Sequence, residues 1–260
     1  MSILYFIISF FSSVVGAISG IGGGVIIKPV LDSIGGFPVA TISFLSGSTV
    51  LSMTTVALIK SRKSEIQVET RTAGLLAAGG IAGGMIGKYI FDIIRSSFEN
   101  DMVLGVSQSG ILLLLTVLVF FYTLFKENIP PRHQKGLLFI ASTGLILGGL
   151  ATFLGIGGGP INLAVLCYFF SMDSKTAALN SIFVIFFSQV TSLLFTALAG
   201  NIPPFEPAVL LLMILGGISG GLLGSRLSAR MSHRAVDRLF MGVMAIIIGI
   251  CVYNILKWFL

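Results

Sequence analysis

The sequence predicts an all-α polytopic membrane protein made of two repeats, inverted relative to each other. Three observations predict it. Hydrophobic residues make up 55% and charged residues only 10% of the chain, with a mean hydropathy of +1.03, whereas soluble domains are about 25% charged. The apolar runs are continuous rather than alternating, which favours helices over a β-barrel. A glycine-rich motif interrupts one apolar run in each half of the chain.

The motif reads Gly-Ile-Gly-Gly-Gly at Gly20–Gly24 (the first break) and again at Gly155–Gly159 (the second break). Glycine costs roughly 1 kcal/mol per position in a helix interior relative to alanine, so three in a row predict that the helix stops. Non-helical backbone at membrane depth persists only when it is buried in protein or lines a cavity. Two breaks at matching places in two halves indicate a binding site of the kind found in secondary transporters.

Each half is predicted to contain one glycine-broken segment followed by three transmembrane helices. In the first half the helices are expected at 3–19, 25–34, 40–60, 70–92 and 102–125. In the second half they are expected at 136–154, 160–171, 175–199, 206–228 and 235–259. The polar linker between the two halves, at residues 126–135, contains two prolines. The predicted division is therefore 1–125 for the first repeat, 126–135 for the loop between repeats and 136–260 for the second repeat.

The spacing of matching motifs indicates that the second half is a duplicate of the first. The shift in residue number from the first break to the second is nearly the same as the shift between two glycine stripes, Gly79–Gly87 and Gly216–Gly224. Small residues at every fourth position let helices approach closely, so both stripes predict helix packing, with the two stripes facing each other across a pseudo-two-fold axis. The same stripes would also permit a homodimer.

The positions of the basic residues distinguish two arrangements. If both broken segments cross the membrane, eight spans result and the 16 Lys and Arg residues divide evenly between the two sides. If each break is instead the tip of a re-entrant hairpin, each half crosses three times and the second half is inverted. Only Lys28, Lys88, Arg95 and Lys257 of the 16 then lie on one side. This bias favours the inverted arrangement, with both termini outside and the basic side in the cytoplasm.

The duplicated breaks resemble those of the TauE/SafE family of sulfite and organosulfonate exporters. The resemblance rests on Ser19 to Gly24 with Lys28-Pro29 in the first half and on Leu154 to Pro160 in the second, and it covers essentially the whole chain. It implies a membrane permease for small anions such as sulfite, thiosulfate or sulfonated acids. It does not identify the substrate.

The breaks are the first candidates for an anion site. Helix N-termini carry free N–H donors and partial positive charge, and short helices are expected to begin just after both breaks. The alternative is a tight packing crossover without a ligand. The glycines concerned are Gly22, Gly23, Gly24, Gly157, Gly158 and Gly159.

Polar side chains in the apolar helices are further candidates. Ser46 and Ser181 are separated by the same shift in residue number as the two breaks, and Asn180 and Gln189 are costly in lipid, so both amides are expected to face the bundle interior. Hydroxyl and amide groups can donate hydrogen bonds to an oxyanion, or they can link helices. Lys28 lies in an apolar piece, where it could neutralise an anion or snorkel to the interface.

Composition and motifs also exclude several classes of protein function. We find no nucleophile–base pair, Walker-type loop or nucleic-acid motif, and Cys167 and Cys251 match no metal-ligand spacing. The sequence therefore predicts a non-enzymatic, multi-pass protein of the cell membrane without metal or cofactor. Its partners would be lipid and a small anionic substrate, with no nucleic acid. A secondary transporter is the favoured function, and an anion channel or a scaffold remains open.

Overall fold

The computed structural model describes residues 2–62, 68–97 and 101–259, and in these ranges the chain forms ten α-helices and no strand. The first five helices are α1 (Ser2–Ser19), α2 (Gly24–Ile34), α3 (Val39–Ser61), α4 (Thr70–Ser97) and α5 (Asp101–Phe125). The next five are α6 (Leu137–Phe153), α7 (Pro160–Phe170), α8 (Ser174–Leu198), α9 (Pro207–Arg230) and α10 (His233–Phe259).

Six of these helices, α3, α4, α5, α8, α9 and α10, are long and apolar enough to cross a membrane. Helices α2 and α7 have 11 residues each, which gives a length of about 17 Å, well short of the ~30 Å hydrocarbon core. The predicted all-α polytopic architecture is confirmed, with a short-helix pair before three long helices in each half of the chain.

The chain leaves the helical conformation at both breaks, as predicted. Gly20 and Gly22 have φ angles of 73° and 80°, and Gly155 and Gly157 have φ angles of 65° and 75°. Only glycine adopts this left-handed region without a steric penalty. The glycines therefore fix where α1 and α6 end.

The glycine stripes pack against helices, as predicted, but the expectation that they face each other is wrong. A methyl group at Gly83 of α4 would overlap the carbonyl oxygen of Leu145 in α6. A methyl group at Gly220 of α9 would overlap the carbonyl oxygen of Phe10 in α1. Each stripe instead packs against the short first helix of the opposite half, because a helix face without side chains lets a second backbone approach closely.

The helix ends lie on two opposite faces. Lys60 at the end of α3, Lys175 at the start of α8 and Arg230 at the end of α9 line one cavity, on what is hereafter the Arg230 face. The start of α3, the end of α4 with Arg95 and the end of α8 line another cavity, on the Arg95 face. Eight full crossings would put Lys60 and Lys175 on opposite faces, so that alternative does not describe this structure.

Candidate functional site

The two breaks meet in the middle of the protein. Ile21 and Ile156, the isoleucines of the two breaks, are 0% and 1% exposed and belong to the same hydrophobic cluster. A methyl group at Gly24 would overlap the carbonyl oxygen of Ile156. The non-helical segments are therefore buried in protein and in direct contact, as backbone within a membrane must be.

Each break rests on a long helix of the opposite half. Gly20 lies against Ala178 in α8, and Gly155 lies against Ser43 in α3. In both places an added methyl group would overlap the neighbouring side chain. Any movement of α3 or α8 would therefore act directly on a break.

Both breaks present backbone donors. Among the described residues, no acceptor receives the amide N–H groups of Gly22 and Gly23, or those of Gly157, Gly158 and Gly159. Unpaired N–H groups at the start of a helix favour a bound anion. Helix α7 also begins with Pro160 at its first turn, where the missing N–H costs nothing.

Three of the predicted polar side chains lie at the breaks. Ser46 is fully buried, its Oγ has no hydrogen-bond partner, and that Oγ would lie 2.9 Å from a methyl group placed on Gly24. Ser181 Oγ donates a hydrogen bond of 2.6 Å to the carbonyl oxygen of Gly20. Gln189 is 3% exposed, and its Nε2 would lie 3.2 Å from a methyl group placed on Gly157.

The other two predicted side chains are engaged elsewhere. Asn180 Oδ1 accepts a hydrogen bond of 3.0 Å from the amide of Glu69, which precedes α4. Lys28 is 2% exposed, and its Nζ lies 3.4 Å from Asp32 Oδ2. The structure therefore places Asn180 at a helix junction and Lys28 in a buried ion pair.

A wide cavity of about 840 Å³ opens at the Arg230 face. Its mouth carries Lys60, Lys175, Arg226 and Arg230, and its wall includes Ala178, which touches the first break. A concentration of positive charge in a concave surface attracts anions and raises their local concentration. The wide cavity therefore forms a basic path towards the first break.

A narrow cavity of about 30 Å³ lies at the Arg95 face and includes Gly155 of the second break. Lys88, Arg95 and Gln189 line it together with the hydroxyl residues Ser43 and Thr152. The sequence analysis named Gln189 as a candidate but did not name Lys88, Arg95 and Thr152, which line the same cavity. The available signal was a cation directly after the glycine stripe, at Lys88.

Lys88 is held in place by two neighbours on its own helix. Its Nζ lies 3.0 Å from Asp92 Oδ1 and 4.7 Å from the ring centroid of Phe91. Asp92 does not line the narrow cavity, and no described carboxylate lies within ion-pair distance of Arg95. The narrow cavity therefore has a net positive lining among the described residues.

A capping group orders the start of α8 at the Arg230 face. Asp173 Oδ1 accepts hydrogen bonds from the amides of Lys175 and Thr176 and lies 3.1 Å from His233 Nδ1. Partial burial by itself raises the pKa of Asp173, but the hydrogen bonds from Thr176 and Lys175 and the nearby His233 hold that pKa below its ordinary value.

The sequence of this chain matches a known family. Residues 5–250 match the family model described as Sulfite exporter TauE/SafE. The chain belongs to the TauE/SafE sulfite exporter family. A curated relative, "Probable membrane transporter protein YunE" of Bacillus subtilis (strain 168), is 23% identical over 77% of this chain and 80% of its own length. No solved structure matches this chain.

Membership of the TauE/SafE family confirms the predicted resemblance. The matched residues include both breaks and all six long apolar helices, at least in part. This TauE/SafE protein is therefore a multi-pass membrane transporter and not an enzyme.

Proposed function

We propose that this protein is a secondary transporter that moves small anions across the membrane by alternating access. Its substrates would be sulfur-containing: sulfite, thiosulfate or organosulfonates such as sulfoacetate. The observation that carries the proposal is the pair of cavities on opposite faces. One, of about 840 Å³, has Ala178 beside the first break in its wall, and the other, of about 30 Å³, includes Gly155 of the second break. Unequal cavities on either side of one closed centre fit a carrier open to one side at a time.

Alternating access needs a second conformation that is open to the other side of the membrane. Two inverted repeats would provide it: residues 1–125 and 136–260, joined by the loop 126–135. Helix packing supports this division, because corresponding helices exchange partners. Helix α1 packs on α9 as α6 packs on α4, and α3 packs on α9 as α8 packs on α4. The same exchange relates the pairs α2–α10 and α7–α5. If the halves exchange conformations, the narrow cavity becomes the wide one.

The substrate would pass between the breaks. The amide groups of Gly22–Gly24 and Gly157–Gly159 would face the anion, together with Ser46 and Gln189, and Ser181 would hold the first break in place, because it donates its one hydroxyl proton to the carbonyl oxygen of Gly20. The location of these three side chains supports their proposed roles, since each lies against a break. Lys28 and Asn180 would act indirectly, because Lys28 Nζ lies 3.4 Å from Asp32 Oδ2 and Asn180 Oδ1 accepts a hydrogen bond from the amide of Glu69.

Transport by purified protein in liposomes tests the proposal. Saturable uptake of sulfite, thiosulfate or sulfoacetate that is accelerated by the same anion inside the vesicle is the expected result. Such counterflow requires a carrier, since a channel has no substrate-loaded return step. Single-channel currents without counterflow would identify a channel instead. Absence of both with all three anions would identify a protein without this transport function.

A further inference from the structure

The two cavities differ in chemistry at equivalent positions. Three wall positions that are alanine in the wide cavity are hydroxyl residues in the narrow cavity, and the members of each pair are as far apart in sequence as the two breaks. The three pairs are Ala17 with Thr152, Ala57 with Ser192, and Ala178 with Ser43. A duplication by itself gives similar walls, so this difference is a specialisation of the narrow cavity.

We propose that the narrow cavity is the subsite that binds the oxyanion head group of the substrate, and that the wide cavity is only an access path. The proposal rests on the proposed transport function and names the place and the chemistry of recognition. The ligand class is a compact sulfur oxyanion or sulfonate group, whose oxygens accept several hydrogen bonds.

Unused donors support the proposal. Thr152 is 5% exposed, and its Oγ1 has no hydrogen-bond partner. The Oγ of Ser43 is also buried without a partner. An unsatisfied buried polar group is destabilising, so native structures retain such groups chiefly where a ligand or water completes them. Gln189, beside the second break, adds an amide with two donors.

Charge supports it as well. Arg95 and Lys88 line the narrow cavity, and the guanidinium group of arginine presents several donors in a plane that suits the oxygens of an oxyanion. Lys88 already has Asp92 at 3.0 Å, whereas none of the carboxylates that the structure describes lies within ion-pair distance of Arg95. An anion in the narrow cavity would therefore meet both the guanidinium group of Arg95 and neutral donors.

The size of the narrow cavity fits a closed subsite. A volume of about 30 Å³ holds about two waters, each of which needs roughly 10–15 Å³ by this measure. A substrate therefore enters only when the walls separate. Three wall positions of the wide cavity are the repeat equivalents of wall positions in the narrow cavity. The wide cavity therefore shows the volume that the narrow cavity would have when open.

The test is binding of radiolabelled sulfite, thiosulfate and sulfoacetate to the purified full-length protein. The variant combines Ser43→Ala and Thr152→Ala, the direction of change that the other half of the chain already carries. The matched control combines Ser61→Ala and Ser228→Ala, two serines that line the wide cavity. Loss of two hydrogen bonds to a charged group should weaken binding at least about tenfold, and the control should stay within about twofold of the native protein.

Each outcome is decisive. Weakened binding in the variant and near-native binding in the control support the subsite. Native binding in both overturns the subsite and leaves the transport function standing. Binding of none of the three anions by the native protein, with no uptake in liposomes, overturns both. If the double variant fails to fold, Thr152→Val preserves the volume and removes the hydroxyl, and Arg95→Gln tests the charge.

Discussion

Ser181 Oγ donates a hydrogen bond of 2.6 Å to the carbonyl oxygen of Gly20 and so ties α8 to the first break. Ser46, its counterpart in the first half of the chain, is fully buried and has no hydrogen-bond partner. The two helices that support the breaks are therefore fastened differently. This difference accompanies the unequal cavities, since the fastened first break lies beside the wide cavity and the second break lies beside the narrow one.

The first prediction concerns these two serines. Ser181→Ala leaves the buried carbonyl of Gly20 without its donor and should cost about 1–3 kcal/mol. Ser46→Ala removes an unpaired hydroxyl and should be neutral for stability. The measurement is the midpoint of thermal unfolding of the purified protein, where 1 kcal/mol corresponds to about 2–4 °C. Equal midpoints for the two variants would contradict the asymmetry.

The second prediction concerns the contact between the breaks. A methyl group at Gly24 would overlap the carbonyl oxygen of Ile156, so Gly24→Ala should destabilise the protein by about 1–3 kcal/mol and slow transport. Gly110→Ala is the matched control, because a methyl group there meets open space within α5. It should leave transport unchanged and stabilise by up to about 1 kcal/mol. Native transport by Gly24→Ala would show that the breaks can separate without cost.

The third prediction concerns the buried ion pair. The side chains of Lys28 and Asp32 are only 3% and 14% exposed, so removing one partner leaves a charge without compensation. Asp32→Asn should cost about 3–5 kcal/mol, and adding Lys28→Met should recover most of it. Thermal unfolding of both variants measures the difference. If Lys28 instead binds substrate, the double variant would be stable but unable to bind anions.

The fourth prediction concerns pH. The pKa of Asp173 lies below its ordinary value of 3.8 in the folded protein, so its stabilising effect is complete above pH 3.8 and declines as pH falls through the lower, folded value. Asp173→Ala should cost about 1 kcal/mol at pH 7 through loss of the helix cap and less near pH 3. Asp173→Asn is the control, because it retains a capping acceptor without titrating. A cost for Asp173→Ala that does not change with pH would contradict the carboxylate cap.

The fifth prediction concerns orientation. The positive-inside rule predicts that the Arg230 face lies in the cytoplasm. After both native cysteines are replaced, Ser97→Cys and Phe205→Cys should react with a membrane-impermeant maleimide on intact cells. Ser232→Cys, just after α9, should react only after permeabilisation. Opposite accessibility of positions 97 and 205 would contradict the arrangement of helix ends.

Local patterns predicted the helices and breaks well. Continuous apolar runs become the six long helices, and the glycines of Gly20–Gly24 and Gly155–Gly159 stop the short ones. These features depend on near neighbours in the chain. The hydropathy of a segment determines whether its helix is stable in lipid or in water, and glycine lowers helix propensity at any position.

The positions of the interior polar side chains were predicted only in part. Ser46, Ser181 and Gln189 lie at the breaks as expected for interior polar residues. Asn180, equally polar, hydrogen-bonds to the start of α4. Helical spacing shows that a side chain faces the interior but does not show which partner it meets there, so the sequence could not separate these roles.

The sequence by itself determined that this chain lies in a membrane, that its helices are interrupted twice, and where the interruptions fall. Only the tertiary structure decided that the glycine stripes receive α1 and α6, that Lys28 pairs with Asp32, and that Thr152 and Arg95 share a cavity. The physical reason is range. Helix formation and termination depend on residues within about one turn, whereas a binding cavity is formed by side chains from helices distant in the sequence.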